Sequence, residues 1–160
     1  MKFETVYIDQ NNKEFLREMI YTAIYVPKEA PPLPFSIIDH PDISKYIADW
    51  GKAGDFGVIA KTNEEKAGAI WIRYFDKNNP GYGFISEEIP ELTMALKSEF
   101  RNRRLGTHMM QKFLSMCRDK EIQSISISVD KRNPAFSFYK RLGFKIVSEN
   151  DADFLMKIDL

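Results

Sequence analysis

A turn rich in arginine, placed between a strand and a helix, restricts the fold of this chain more than any other segment. Residues 91–96 are predicted to form the strand, and the turn follows at residues 100–107, which read FRNRRLGT. Apolar side chains then recur at helical spacing, at Met110, Phe113, Leu114 and Cys117. The turn is therefore predicted to be the start of an amphipathic helix.

A helix that starts in a basic turn is a favourable place for an anion. The first N–H groups of a helix have no intrahelical partners, and the helix dipole adds positive charge at that end. Arg101, Arg103 and Arg104 increase this charge. We therefore expect a ligand that carries phosphate at this turn.

The elements around the turn predict one mixed α/β domain over residues 1–160. Strands are predicted at residues 3–8, 56–60, 67–74, 91–96, 124–129, 144–148 and 154–158. Helices are predicted from Asn11 or Asn12 as cap to about Tyr25, at residues 42–50, from about Arg104, and between Asn133 as cap and Gly143. Residues 61–66 are predicted to be a polar hairpin turn.

Four prolines prevent regular structure in the segment at residues 26–34. One interpretation is an ordered loop that forms a wall of an acceptor pocket, with Tyr25 and Phe35 as lining residues. A stiff connector is the alternative, and a polyproline ligand for a partner protein is a third one.

Composition excludes several classes of function. The chain has 23 basic and 23 acidic residues, whereas a general nucleic-acid binder would show a basic excess. A single cysteine forms no internal disulfide, and with two isolated histidines it gives no zinc-binding spacing. No apolar run approaches the length of a signal peptide or of a membrane span. We expect a cytoplasmic protein without metal, nucleic-acid or membrane partners.

A second motif follows the predicted strand at residues 124–129. Residues 133–144 read NPAFSFYKRLGF and resemble N-x-x-A-x-x-x-Y-x-x-x-G-F, with Asn133 one residue closer to Tyr139 than is commonest. Residues 101–106, RNRRLG, resemble the Q/R-x-x-G-x-G/A motif. Two such motifs in this order are typical of the GNAT superfamily of N-acetyltransferases, which this chain resembles over residues 91–147. Arg104 stands where the family usually has its first glycine, and a right-handed helical backbone there would accommodate its Cβ.

The resemblance implies a mostly antiparallel sheet of about seven strands, flanked by about four helices. The sheet would be splayed between the strands at residues 91–96 and 124–129, with acetyl-coenzyme A as cosubstrate in the gap. The implied cofactor-binding residues are Met94, Ala95, Leu96, Arg101, Asn102, Arg103, Arg104, Leu105, Gly106, Thr107 and Asn133. Met94 and Leu96 can also be core residues.

Two residues carry the expected chemistry. By resemblance, Tyr139 is the acid that protonates the departing thiolate, although it also shares a helical stripe with Ala135, Phe138 and Leu142 and can simply pack there. Glu91 is the candidate base, with an ordered water or a solvated carboxylate as alternatives. Cys117 is predicted to pack in the core, and His108 to have a surface or packing role, with a phosphate contact as the alternative. Lys131 and Arg132 are predicted to lie in a solvated loop, with a contact to the nucleotide end of the cofactor as the alternative.

The resemblance thus implies direct acetyl transfer to a primary amine of a small molecule or a peptide. Glu87, Glu88 and Glu91 favour a cationic small amine. The alternative is a non-catalytic acyl-coenzyme A sensor or interaction module of the same fold. A nucleotide-phosphate enzyme is disfavoured, because G-x-x-x-x-G-K-[ST] and G-x-G-x-x-G loops are absent. A monomer or a homodimer is expected.

Overall fold

The structure is a computed structural model that describes residues 2–160, so Met1 of the predicted domain lies outside the described residues. Its strands are β1 (Glu4–Tyr7), β2 (Phe56–Thr62), β3 (Glu65–Arg73), β4 (Glu91–Leu96), β5 (Ser124–Asp130), β6 (Lys145–Glu149) and β7 (Asp153–Asp159). Its helices are α1 (Lys13–Ala23), α2 (Pro41–Ser44), α3 (Leu105–Asp119) and α4 (Ala135–Arg141). The element order is the one predicted.

The seven strands form one sheet in the order β1-β2-β3-β4-β5-β7-β6. All neighbouring strands are antiparallel except β4 and β5, which run parallel. These two strands share one register pair, Glu91 with Ser126, and the Ser126 N–H donates to the carbonyl of Pro90 at 3.0 Å. Beyond this point the strands separate, so the predicted fold class and the splay are confirmed.

Apolar side chains cover both faces of the sheet. On one face, α3 buries Phe113, Leu114 and Cys117 against the strands, and on the other, α1 buries Leu16 and Met19. Strand β3 is consequently buried on both sides, which explains its nearly continuous apolar run. No helix within residues 2–160 is both long and apolar enough to cross a membrane.

The second predicted helix was too long. Only Pro41–Ser44 is α-helical, and irregular turns replace the rest of residues 42–50. Side chains of β3 hydrogen-bond to carbonyl groups that a longer helix would use for its own backbone hydrogen bonds. Trp71 Nε1 donates to Tyr46 O at 3.0 Å, and Arg73 Nη1 donates to Lys45 O at 2.9 Å. Long-range hydrogen bonds thus override the local helical pattern.

Two smaller predictions need comment. Asn12 occupies the N-cap position of α1, as predicted, but its side chain makes no capping hydrogen bond to that helix. Asp9 caps the short turn before α1, since its carboxylate accepts from the Asn11 N–H at 2.8 Å. The hairpin between β2 and β3 turns at Asn63 and Glu64 alone, both with positive φ, so the strands extend further than predicted.

The predicted α4 is confirmed, although it begins at Ala135, one residue later than a cap at Asn133 implies, and the proline-rich segment is irregular as predicted. Asn133 Oδ1 accepts from the Ala135 N–H at 2.9 Å, and Gly143 follows the helix with φ 108°. Residues 26–34 contain no helix or strand. The Tyr21 hydroxyl donates to Leu33 O at 2.5 Å and ties this segment to α1.

Candidate functional site

Two cavities meet where β4 and β5 separate. The large cavity, of about 880 Å³, lies against the basic turn, and the small cavity, of about 310 Å³, lies against the end of α1 and the residues after α2. Six residues line both of them: Ala23, Ile24, Tyr25, Met94, Asn133 and Tyr139. A ligand in one cavity would therefore be next to a ligand in the other.

The basic turn has an unusual backbone. Asn102 and Arg104 both adopt left-handed conformations, with φ of 61° and 63°. Asparagine tolerates the left-handed region, whereas an arginine there is strained, because its Cβ lies too close to the following carbonyl oxygen. The backbone at Arg104 is therefore not the right-handed helix that would accommodate its Cβ, and the turn holds an arginine in a conformation that suits glycine.

The large cavity has the features of a phosphate site. The start of α3 has no side-chain cap, so its first N–H groups are open to a ligand, and Gly106 and Thr107 line the cavity there. A Cβ added at Gly106 would meet Leu96 and Met94 side chains at 3.4 and 3.5 Å, so protein packing alone does not demand glycine there. The glycine instead leaves room on the cavity wall.

Nine of the eleven predicted cofactor residues line this cavity: Met94, Ala95, Leu96, Arg101, Asn102, Arg104, Gly106, Thr107 and Asn133. Arg103 and Leu105 do not line it. Leu105 is 1% exposed and packs in the core, because the first turn of α3 directs it toward the sheet.

The edge of β4 that faces the gap is available to an extended ligand. Strand β3 pairs with β4 over its whole length, whereas β5 reaches only Glu91. The Arg101 Nε–H donates to the carbonyl of Leu96 at 3.1 Å and fixes the turn to the end of this strand. Backbone groups of residues 92–96 on the gap side therefore have no partner strand.

Tyr139 stands at the junction of the two cavities. It is 9% exposed and packs against Phe138 and Phe144, with ring centroids 5.3 and 5.6 Å away. Its hydroxyl has no hydrogen-bond partner within residues 2–160, and burial raises the pKa of Tyr139 to about 12. Since no fully enclosed side-chain N or O atom in this part of the chain lacks a partner, the hydroxyl is open to the cavities. The phenol is a protonated donor at neutral pH.

Glu91 is buried, and not a solvated carboxylate at a strand entrance. It is 4% exposed, and its carboxylate accepts from the Tyr46 hydroxyl at 2.5 Å and from the Gly83 N–H at 2.9 Å. Burial raises the pKa of Glu91 to about 7, although these hydrogen bonds and the charge of Lys45 lower it. A carboxylate with this pKa can exchange protons near neutral pH.

The small cavity is acidic, but only one of the predicted glutamates contributes. Glu91, Asp130 and Asp153 line it, and no Lys, Arg or His is among the described residues on its wall. Glu87 and Glu88 are exposed elsewhere, and Glu87 accepts from the Lys77 N–H at 3.0 Å. The two aspartates face each other across β5 and β7.

Most of the remaining candidate residues lie outside the two cavities. Tyr25 lines both cavities, whereas Phe35 lines neither and packs edge-on against Tyr21. Cys117 is fully buried, and burial raises its pKa to about 12. His108 is exposed, and residues 2–160 hold no group of three His, Cys, Asp or Glu side chains suited to a metal ion.

Lys131 and Arg132 lie at the end of β5 and pair with acidic neighbours. Lys131 Nζ lies 3.5 Å from Glu149, and the Arg132 guanidinium makes two hydrogen bonds to Asp130, which hold the pKa of that carboxyl below its usual value. Asp130 is therefore already neutralised in part, whereas Asp153 makes no salt bridge with residues 2–160.

Tyr46 and Asp153 line the small cavity, but neither was predicted from the sequence to be a site residue. Tyr46 lies in a segment predicted as plain helix, and no motif marks it. Asp153 reaches the cavity through the pairing of β7 with β5. The predicted splay at β5 could have pointed to Asp153 through its cross-strand partner, whereas Tyr46 has no such signal.

Comparison with known proteins agrees with this geometry. The model of the acetyltransferase (GNAT) family matches residues 20–144. "Probable N-acetyltransferase san" of Drosophila melanogaster is 28% identical over 109 residues, which are 67% of this chain and 56% of that protein. The chain thus spans little more than half the length of this relative.

Solved structures share the whole fold. PaiA N-acetyltransferase from Thermoplasma acidophilum, in complex with coenzyme A, has a TM-score of 0.72 at 17% identity, with both chains covered completely. An acetyltransferase from Staphylococcus aureus Mu50 has a TM-score of 0.67 at 18% identity, with 99% of each chain covered.

Proposed function

Because the chain belongs to the GNAT family of acetyltransferases, we propose that it moves the acetyl group of acetyl-coenzyme A directly to the primary amine of a small cationic molecule. The observation that carries this proposal is the junction of a basic and an acidic cavity at Tyr139. A thioester in one cavity and an amine in the other would meet beside one proton donor.

In this proposal, the large cavity holds coenzyme A. Arg101, Arg104 and the free N–H groups at the start of α3 favour the pyrophosphate. The unpaired edge of β4 offers backbone donors and acceptors to the amide groups of the pantetheine arm. Coenzyme A supplies the activated acetyl group, and the chain supplies binding, orientation and proton transfer.

The small cavity supports a cationic acceptor rather than a peptide. Its volume of about 310 Å³ suits a small molecule. Its wall combines three carboxylates with the aromatic rings of Tyr25, Tyr46 and Tyr82, a lining that attracts an ammonium group.

Each proton in the transfer has a proposed donor and acceptor. Glu91 takes a proton from the attacking ammonium group, and the free amine forms the new N–C bond as the C–S bond breaks. Tyr139 gives its phenolic proton to the departing sulfur and regains one from the amide nitrogen. Burial raises the pKa of Tyr139, and it would raise that of a thiolate in the same cavity as well, so this proton transfer stays accessible.

Thiol release from acetyl-coenzyme A tests the function across a panel of amines. The panel contains aliphatic diamines, monoamines, zwitterionic amino acids of matched size and a peptide with a free amino terminus. We expect the fastest release with the cationic small amines. Equal rates for cationic and zwitterionic acceptors would contradict the proposed acceptor class. Calorimetric binding of coenzyme A without release by any amine would favour the non-catalytic sensor.

Arg104 provides a prediction in which stability and binding change in opposite directions. The Arg104→Gly variant should raise the free energy of unfolding by about 1 kcal/mol, because glycine removes the strain of a left-handed residue. Coenzyme A should bind a few-fold more weakly, since a cation is lost from the cavity wall. Urea unfolding and calorimetry measure the two effects.

The controls for Arg104 separate charge from backbone. Arg104→Gln keeps the left-handed strain and removes the charge, so only the affinity should fall. Arg103→Gly, at a residue without positive φ and outside both cavities, should lower stability instead. A lower stability of the Arg104→Gly variant would show that the turn gains nothing from glycine.

Asp153 provides a prediction for the acceptor. The Asp153→Asn variant should raise KM for a diamine by about five-fold with kcat nearly unchanged, because a half-buried carboxylate contributes modest uniform binding to a cation. Asp151→Asn, in the exposed turn before β7, is the matched control and should leave KM unchanged. An unchanged KM in the Asp153 variant would remove this residue from the acceptor site.

A further inference from the structure

Tyr46 links three parts of the molecule at the bottom of the small cavity. It is 6% exposed and follows α2. Its hydroxyl donates to Glu91 Oε2 at 2.5 Å and accepts from the Tyr82 N–H at 2.8 Å. One phenol therefore joins strand β4 to the loop at residues 80–83, which carries Tyr82 to the cavity wall.

Strand β3 fixes the backbone around Tyr46. Trp71 Nε1 donates to Tyr46 O, and Arg73 Nη1 donates to Lys45 O and, at 2.6 Å, to Ala48 O. Arg73 is itself held by Asp55 at 2.7 Å, and the two side chains are each 2% exposed. These bonds reach both sides of Tyr46, so its phenol is oriented before any ligand arrives.

The loop packs directly on the carboxylate that Tyr46 binds. A Cβ added at Gly81 would lie 2.3 Å from Glu91 Oε1 and 2.8 Å from the Tyr46 hydroxyl. A Cβ added at Gly83 would lie 2.9 Å from Glu91 Cδ. Only glycine allows this approach at both places. Lys45 Nζ also donates to Pro80 O and to Asn79 Oδ1, which holds the loop in place.

We propose that Tyr46 is a positioning residue for acetyl transfer, because its phenol holds the Glu91 carboxylate in the orientation that receives the acceptor's proton and ties the loop at residues 80–83 over it. This inference rests on the proposed role of Glu91 as base. Each carboxylate oxygen can accept a second hydrogen bond, so the contacts to Tyr46 and Gly83 leave acceptor lone pairs for the amine or a water molecule.

Several ionisable groups surround Glu91, and Tyr46 makes the closest contact. Lys45 precedes Tyr46, Arg73 is the cross-strand neighbour on β3, and Tyr82 comes from the loop. Asp130, Asp153 and Tyr139 line the same cavity. The hydrogen bond from Tyr46 stabilises the charged carboxylate and lowers the pKa of Glu91, which burial raises. Loss of this bond should therefore make Glu91 harder to ionise.

The Tyr46→Phe variant tests the inference with two readouts. One is the pH dependence of kcat/KM for thiol release with the most active amine of the panel. The other is the titration of Glu91 followed by NMR in protein labelled with ¹³C at the glutamate carboxyls, and it needs no activity. Both midpoints should move upward by about one pH unit, since a hydrogen bond to a charged group is lost.

Tyr21→Phe is the matched control, because it removes a phenol hydrogen bond of equal length outside both cavities. It should leave both midpoints in place. An unmoved NMR titration in Tyr46→Phe, or an equal loss of rate at every pH, would overturn the inference about Tyr46. A shifted NMR titration with an unshifted pH profile of kcat/KM would instead show that Glu91 is not the base. The proposed proton transfer from the acceptor to Glu91 would then be wrong, and so would the positioning role of Tyr46.

Discussion

Replacing Tyr139 with phenylalanine is expected to lower kcat for acetyl transfer by about 100-fold or more, the usual contribution of a positioned acid. The binding of coenzyme A should stay nearly the same, because the change removes one hydroxyl and keeps the ring between Phe138 and Phe144. Steady-state thiol release gives kcat, and calorimetry gives the affinity of the same preparation.

This result would separate the packing role of Tyr139 from its proposed role as the acid. Tyr139 belongs to the main core cluster, as its helical stripe predicted, and it also lines both cavities. A packing role alone predicts a loss of stability on truncation to alanine and little loss of rate on replacement by phenylalanine. Tyr7→Phe, at an exposed residue of the edge strand β1, is the matched control. Full turnover in Tyr139→Phe would remove the phenol from the mechanism.

The sequence predicted the sheet well, because local patterns decide most of it. The alternation at residues 124–129 became β5, and the apolar run of β3 became a strand covered on both faces. The basic turn before α3 was also predictable, since the strand, the arginines and the helical periodicity are contiguous. The cytoplasmic location and the monomeric or dimeric state stay predictions.

The parts that sequence did not predict depend on contacts between distant residues. The segment after α2 loses its helix because Trp71 and Arg73 bind carbonyls 25 to 28 residues away. Tyr46 donates a hydrogen bond to Glu91, which lies 45 residues further along the chain, and no periodic pattern in the sequence predicts such a contact. The left-handed backbone of Arg104 was unpredictable for another reason, because arginine has no preference for that region.

For Glu91, the local sequence predicted its position but not its burial. Its place at the start of β4 was predicted, but its burial comes from Tyr46 and from two loop glycines that lie far away in sequence. A surface carboxylate would be ionised at every physiological pH. The buried one has a pKa of about 7, so its protonation state changes near neutral pH.

The Glu91→Gln variant is therefore expected to lower kcat/KM at pH 8 by about 100-fold, because glutamine accepts no proton from the acceptor. In the unmodified protein, kcat/KM should rise through a midpoint near pH 7, where Glu91 loses its proton, and the variant should lack this rise. Glu88→Gln, at an exposed residue outside both cavities, is the control and should keep both the rate and the midpoint. An unchanged pH profile in the Glu91 variant would assign the proton to an ordered water instead.

The titration of Glu91 should also appear in the pH dependence of the free energy of unfolding, which is measured independently of activity. The folded-state pKa of Glu91 lies above its ordinary value of 4.5, so the folded protein binds the proton more tightly than the unfolded chain does. Its contribution to stability is thus fully present below about pH 4.5 and is lost as the pH rises through about 7, a change of roughly 3 kcal/mol. The Glu91→Gln variant should lack this decline in urea unfolding experiments across the pH range. In the proposed reaction, the ionised form that removes the proton is then the less stable form of the protein. A stability profile identical to that of the variant would mean that Glu91 titrates as an ordinary surface carboxylate.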